Sequence, residues 1–180
     1  MPVDGTKIQA LLQLAAVGTA GLAVDERDHA HGTPPAGPPH LPRTLCIGMA
    51  TYDDFDGVYF SVQALRLYHP EVMDRVSILV LDNDPTGRAA WPLKELADRV
   101  EELRYVPCGE VRGTAVRDLL FRYATADWVL VMDCHVLLEP GALTALLRYI
   151  DEHPDSDDLV QGPIEWDELG GLVATHFEPE

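Results

Sequence analysis

The chain has 180 residues and a formal net charge of −17, with 47% hydrophobic and 24% charged residues. This composition is ordinary for a single soluble globular domain. So large a negative charge opposes binding to nucleic acid, and a ligand that carries phosphates would need a bound cation beside so acidic a protein. The three cysteines lie at irregular spacing and predict no disulfide framework, which favours a reducing cytoplasmic setting.

Residues 1–24 predict an N-terminal helical arm. Residues 8–24 are rich in Ala and Leu, but glutamines and glycines interrupt them and only Lys7 precedes them as a basic residue, so a short helix is favoured over a secretory signal. No apolar run is long enough to predict a membrane span. Residues 25–42 contain five prolines and predict a linker. The linker contains a His29-x-His31 pair, which lacks the rigid surroundings that a metal ligand needs.

Residues 43–180 predict one domain in which strands and helices alternate. This alternation is typical of an α/β three-layer sandwich with a mostly parallel, Rossmann-like sheet. In chain order we predict a strand at 44–50, a helix at 58–68, a strand at 76–81, a helix at 92–102, a strand at 103–106, a helix at 113–124, a strand at 128–132, a helix at 140–153 and a strand at 159–161.

Polar residues follow three of the predicted strands. The first strand runs into 51–54 (TYDD), the second into 82–84 (DND), and the fourth, an uninterrupted apolar run, into Asp133-Cys134-His135. A single Asp after a strand is more often a turn former or a helix cap. Three such ends at one edge of a parallel sheet instead predict a binding crevice. Since side chains two apart in a strand share a face, Asp133 and His135 could bind one divalent cation while Cys134 points away.

In their order and spacing, these motifs and the segment 113–118 (GTAVRD) resemble the nucleotide-binding half of a family 2 glycosyltransferase with the GT-A fold. The resemblance covers residues 45 to about 163. It implies that a nucleotide-diphosphate sugar donor binds in the crevice and that Asp133 and His135 hold Mn²⁺ or Mg²⁺ against the diphosphate. The implied nucleotide-binding residues are Thr51, Tyr52, Asp53, Asp82, Asn83, Gly113, Arg117 and Asp118.

The chain departs from the family pattern at two positions. Asp118 stands where the family usually has Asn. His135 replaces the second Asp of the metal motif, as in the Asp-x-His of polypeptide N-acetylgalactosaminyltransferases, and an imidazole ligand favours manganese. His176 could be a third ligand, although an exposed histidine near the chain end is the simpler interpretation. Arg117 could contact phosphate or belong to a surface ion pair.

The acceptor half of the family is largely absent, and we therefore expect a form truncated at the C-terminus. The catalytic base is unknown. Its candidates are Glu165, Asp167 and Glu168, whose clustering is equally typical of a solvated loop.

The predicted function is metal-dependent transfer of a sugar from a nucleotide-diphosphate donor to the hydroxyl of an unidentified acceptor. One alternative is a non-catalytic nucleotide-sugar-binding module or inactive fragment. A second is a sugar nucleotidyltransferase, which would need basic residues in a glycine-rich loop after the first strand. That loop, residues 51–57, has three Asp and neither Lys nor Arg, which argues against it.

Overall fold

The sheet has four parallel strands with β1 near its centre. The computed structural model describes residues 44–111 and 113–160. The strands are β1 (Leu45–Thr51), β2 (Val76–Asp82), β3 (Leu103–Pro107) and β4 (Trp128–Val131), in the spatial order β3-β2-β1-β4. The register aligns Leu45 of β1 with Val76 of β2 and with Trp128 of β4. Helices cover both faces of this sheet, so the predicted α/β fold with a parallel sheet is confirmed.

Three helices cover one face of the sheet. They are α1 (Phe55–Tyr68), α2 (Ala90–Arg99) and α4 (Ala142–Glu152), and a 3₁₀ turn at Pro70–Arg75 follows α1. Their apolar sides pack on alternate residues of the strands, as the period of a strand requires. Central members of this core are Ile47, Met49, Val58, Val62, Ile78, Leu93, Leu143 and Leu147.

The opposite face is covered by a 3₁₀ turn at Gly113–Arg117 and by the short helix α3 (Asp118–Tyr123). Val116 and Leu120 bury their side chains against Cys46, Leu79 and Leu81. Gly48 of β1 lies beneath Leu120, and a Cβ atom at Gly48 would be 2.8 Å from Leu120 Cδ2. The missing side chain lets α3 approach the sheet and so determines where Arg117, at the end of the 3₁₀ turn, is held.

Asp82 ends β2 and is fully buried. Its Oδ2 accepts a hydrogen bond from the Tyr105 hydroxyl at 2.6 Å, and its Oδ1 accepts one from the Asp84 backbone N–H at 2.9 Å. Burial and the bond to Asp82 raise the pKa of the Tyr105 phenol. Asp82 therefore joins the ends of β2 and β3 and fixes the loop that follows β2.

Several element bounds differ from those that the sequence predicts. Helix α1 begins at Phe55, three residues early, because Asp54 Oδ1 accepts the Gly57 N–H at 2.9 Å and caps the helix. Helix α2 begins at Ala90, so Pro92 lies within its first turn, where a missing N–H costs no internal bond.

The helix predicted at 113–124 consists of the 3₁₀ turn and α3, and its first residue, Gly113, has a φ of +69°. The 3₁₀ turn at Pro70–Arg75 was not predicted.

The strand predicted at 159–161 is wrong over its described part. Residues 159 and 160 have no strand assignment, and Leu159 is exposed. The reason lies at Asp158, whose carboxylate accepts hydrogen bonds from the hydroxyls of Tyr149 and Ser156. The bond from Tyr149 ties Asp158 to α4.

The predicted arm (1–24), the linker (25–42) and the His29-x-His31 pair lie outside the described residues. The same is true of residue 161 and of the candidates Glu165, Asp167, Glu168 and His176. In the part of the chain that is described, no helix is both long enough and apolar enough to cross a membrane.

The first prediction concerns the close approach of Leu120 to Gly48. Gly48→Ala should lower the free energy of unfolding in urea by about 1–3 kcal/mol, because the new Cβ overpacks a fully buried leucine. In the double variant with Leu120→Ala, the combined loss should be smaller than the sum of the two single losses. Strictly additive losses would show that the two residues do not constrain each other.

The second prediction tests the role of Asp82. Tyr105→Phe should destabilise the fold by about 1–3 kcal/mol, since a buried carboxylate oxygen loses its donor. Because the folded-state pKa of Tyr105 is raised, this stabilisation is complete below the ordinary tyrosine pKa of about 10 and is lost as the pH rises above it. The control is Tyr68→Phe, an exposed tyrosine that should cost less than about 0.5 kcal/mol. Equal effects of the two substitutions in urea unfolding would contradict this role.

Candidate functional site

A crevice opens at the carboxyl edge of the sheet. The strand order changes direction at β1, since β2 and β3 lie on one side of it and β4 on the other. Ligands of open α/β sheets bind at such switch points. Two cavities lie here, of about 620 Å³ and about 290 Å³. They share Ala50, Thr51, Tyr52 and Arg117, so they form one continuous crevice.

The larger cavity lies between the ends of β1 and β2 and the 3₁₀ turn at Gly113–Arg117. The Tyr52 ring stands at this site with 69% of its surface exposed. With its amide group turned so that both neighbours are satisfied, Asn83 donates to the Val111 carbonyl and accepts the Gly113 N–H, which ties the end of β2 to the start of the 3₁₀ turn. The other lining residues are Asp84, Pro85, Thr86, Gly109, Thr114 and Val116.

Charged side chains line the smaller cavity. Asp54, Asp133 and His135 surround it together with Arg117. The Arg117 guanidinium donates a hydrogen bond to Asp133 Oδ1, and both side chains are partly exposed. Within the described residues, Arg117 is the one Lys or Arg side chain that lines either cavity. It therefore supplies the positive charge at the point where the two cavities meet.

His135 has a left-handed backbone with a φ of +66°. Its N–H donates to Ser61 Oγ at 2.7 Å and approaches the Gly57 carbonyl at 3.3 Å. The imidazole is 71% exposed, and its Nδ1 lies 3.9 Å from Asp54 Oδ2. The backbone of His135 is thus held firmly while its ring reaches into the crevice.

Cys134 lies between Asp133 and His135 in sequence but faces the core. Its side chain is buried, and its Sγ donates to the Ala50 carbonyl at 3.5 Å. Burial raises the pKa of this thiol to about 11, because a buried thiolate would lose its solvation. Cys134 is therefore a packed thiol, as predicted, although β4 ends at Val131 and the alternation of strand side chains does not extend to this residue.

The structure brings most of the predicted site residues to the crevice. Asp53, Asp82 and Asp118 line neither cavity. Asp53 has a φ of +49°, and its carboxylate accepts the Ala89 N–H at 2.9 Å and pairs with Arg88. These bonds, the one from Ala89 first, lower the pKa of Asp53. Asp118 is exposed at the start of α3. The predicted site residues that do line the crevice are Thr51, Tyr52, Asn83, Gly113, Arg117, Asp133 and His135.

Two carboxylates of the crevice were missing from the predicted set, Asp54 and Asp84. Each directly follows a predicted site residue in sequence. The polar segments after the first two strands, which predicted the crevice, therefore also contain these two carboxylates. In the described part of the chain, no three His, Cys, Asp or Glu side chains come close enough together to hold a metal ion by themselves.

Solved structures with a similar fold include two glycosyltransferases. One is S. aureus TarS 1-349, with a TM-score of 0.52 and 15% identity over 62% of this chain and 33% of that one. The other is the mannosyltransferase PcManGT from Pyrobaculum calidifontis in complex with GDP-Man and Mn²⁺, with a TM-score of 0.52 and 18% identity over 67% of this chain and 36% of that one. The chain thus spans about a third of the length of these proteins. No curated protein matches it in sequence.

The family model described as "Glycosyl transferase family 2" matches residues 46–170. This match covers more than half of the chain and includes the whole crevice and all four strands except Leu45, the first residue of β1. It agrees with the parallel sheet and with the position of the crevice at the switch point. The chain belongs to glycosyl transferase family 2.

Proposed function

We propose that the crevice binds a nucleotide-diphosphate sugar and that the protein transfers the sugar to an acceptor hydroxyl. One observation carries this proposal: in a family 2 domain, a large cavity of mostly uncharged residues adjoins a small charged one, with Arg117 between them. A nucleotide sugar has the same division, because an uncharged nucleoside is joined to an anionic diphosphate.

In this proposal the nucleoside occupies the larger cavity. The exposed Tyr52 ring offers a face on which a base can stack. The Asp84 carboxylate can accept hydrogen bonds from ribose hydroxyls or from a base N–H. Asp82 does not line the cavity. Its carboxylate accepts the Asp84 N–H and so fixes the position of the Asp84 carboxylate.

The diphosphate then lies at the smaller cavity, beside Arg117. A guanidinium can bind phosphate through two parallel N–H groups. In the described structure this group is paired with Asp133, so binding of the diphosphate would move Arg117 from a carboxylate to a phosphate. Because the chain has a net charge of −17, Arg117 alone offsets little of the charge that a diphosphate adds.

A divalent cation fits this site only if the donor completes its ligand set. Asp133 and His135 line the same cavity and offer one carboxylate and one imidazole. Asp54 lines it too, but among the described residues no three such side chains come close enough together to hold a metal ion. Mg²⁺ and Mn²⁺ accept such sets, in which one or two protein ligands are supplemented by phosphate oxygens and water. The imidazole favours Mn²⁺, the ion bound with GDP-Man in PcManGT. When bound, the cation would stabilise negative charge on the departing diphosphate.

Transfer needs a group that takes the proton of the acceptor hydroxyl, within hydrogen-bond reach of it. Glu165, Asp167 and Glu168 remain the predicted candidates for this base, and His176 remains a predicted third ligand; all four lie outside the described residues.

The third prediction concerns the cation. Titration calorimetry should show UDP or GDP binding at least about tenfold more tightly in Mn²⁺ than in excess EDTA, because the cation offsets repulsion between the diphosphate and an acidic crevice. Uridine and guanosine provide the matched control, since a nucleoside without phosphates should bind equally with and without the cation. Equal affinity for the diphosphates in both buffers would overturn the cation requirement.

The fourth prediction concerns Asp133. Asp133→Asn should abolish the difference between Mn²⁺ and EDTA while changing the free energy of unfolding by less than about 1 kcal/mol, since its partly exposed ion pair contributes little to stability. Asp118→Asn removes the same charge from an exposed position outside both cavities and should leave binding unchanged. Loss of cation-dependent binding in both variants would point to a general charge effect instead.

A further inference from the structure

The first two turns of α1 hold His135 in place. The N–H of His135 donates to Ser61 Oγ at 2.7 Å and approaches the Gly57 carbonyl at 3.3 Å. Ser61 and Gly57 are both buried, so water does not compete for these positions. Without such bonds a residue other than glycine seldom keeps a φ of +66°. Strained backbone that is held in this way is typical of functional positions.

Asp54 lies on the same turn and faces the His135 ring. Its Oδ1 accepts the Gly57 N–H at 2.9 Å and caps α1. Its Oδ2 lies 3.9 Å from His135 Nδ1. A Cβ atom at Gly57 would collide with Oδ2, so the glycine makes room for this carboxylate. Because Oδ1 is committed to the helix, the direction in which Oδ2 points is fixed.

We propose that Asp54 is a positioning residue: its Oδ2 accepts the Nδ1–H of His135, which leaves Nε2 unprotonated and directed at the crevice. A neutral imidazole has one N–H donor and one acceptor nitrogen, so the partner of Nδ1 determines what Nε2 can do. Histidines that bind metals usually donate their other N–H to a carboxylate or carbonyl. The separation of 3.9 Å is longer than a hydrogen bond, so the bond requires the exposed ring to turn toward Oδ2; such bonds are often long before a ligand binds.

Asp133, the other carboxylate of the smaller cavity, does not compete for Nδ1, because it is paired with Arg117. That Nε2 would bind a divalent cation rests on the proposed function. That Asp54 sets the tautomer does not depend on it. The two claims can therefore be tested separately.

The tautomer is measured by ¹⁵N NMR of the histidine rings at about pH 8.5, well above the ordinary histidine pKa of about 6.5. The signals of His135 are assigned by their loss in His135→Gln. The free neutral side chain favours the Nε2–H form in water, so an Nδ1–H form for His135 in the unmodified protein is the expected result. An Nε2–H form there would overturn the proposal without any variant of Asp54.

Asp54→Asn sharpens the test. Asparagine caps helices as well as aspartate does, so α1 should persist. With its oxygen on the helix, the amide would turn its NH₂ group toward Nδ1, and His135 should change to the Nε2–H form. The matched control is Asp56→Asn, which removes an exposed carboxylate from the same first turn and should leave the tautomer unchanged. An unchanged tautomer in Asp54→Asn, or the same change in both variants, would contradict a positioning role.

Mn²⁺ binding in the presence of UDP or GDP gives a second measurement. Asp54→Asn should weaken it by about 10–100-fold, as substitutions behind a metal-binding histidine usually do, and Asp56→Asn should not. If the tautomer changes as expected but the unmodified protein binds no Mn²⁺, the positioning role stands and the proposed cation is wrong. If Mn²⁺ binds but the His135 tautomer is the same in Asp54→Asn as in the unmodified protein, the proposed cation is supported and the positioning role is wrong.

Discussion

The parallel pairing of β1 with both β2 and β4 is the constraint on which the crevice depends. Because the two neighbours run in the same direction as β1, all three strands end at one edge of the sheet. Thr51 and Asp82 stand side by side there, and Asp133 follows two residues after β4 ends. Because β2 and β3 lie on one side of β1 and β4 on the other, the order of the strands reverses at β1, where ligands of open parallel sheets bind.

Most carboxylates near this edge of the sheet accept hydrogen bonds that stabilise the fold. Asp53 is bonded at the start of α2, Asp54 caps α1, and Asp82 joins β2 to β3. The bond from the Ala89 N–H lowers the pKa of the Asp53 carboxyl, which favours its charged form. The crevice therefore has a strong negative field that is built into its framework, and Arg117 is offset by Asp133. This field repels an anionic ligand such as a diphosphate, whichever sugar the ligand carries.

Much of the fold could be predicted from the sequence, because apolar runs such as 76–81 and 128–132 suit strands buried on both faces. The site could be predicted as a region, and its individual contacts could not. Asp53 and Asp84 are both Asp in loops after strands, yet the first bonds α2 and the second lines a cavity. That difference depends on a left-handed φ at Asp53 and on the distant Ala89 N–H, neither of which spacing reveals. The 3₁₀ turns were missed for a related reason, since their packing depends on contacts across the sheet.

The burial of all three cysteines has a practical consequence. Cys46, Cys108 and Cys134 are free and buried, and burial raises the pKa of each thiol. Alkylating reagents attack the thiolate, so at neutral pH they should react slowly with the native protein. A cysteine introduced on the exposed surface of α1 could then carry a fluorophore or a spin label without removal of the natural thiols. Distances from such a label to a paramagnetic ion or a labelled nucleotide would map the crevice in solution.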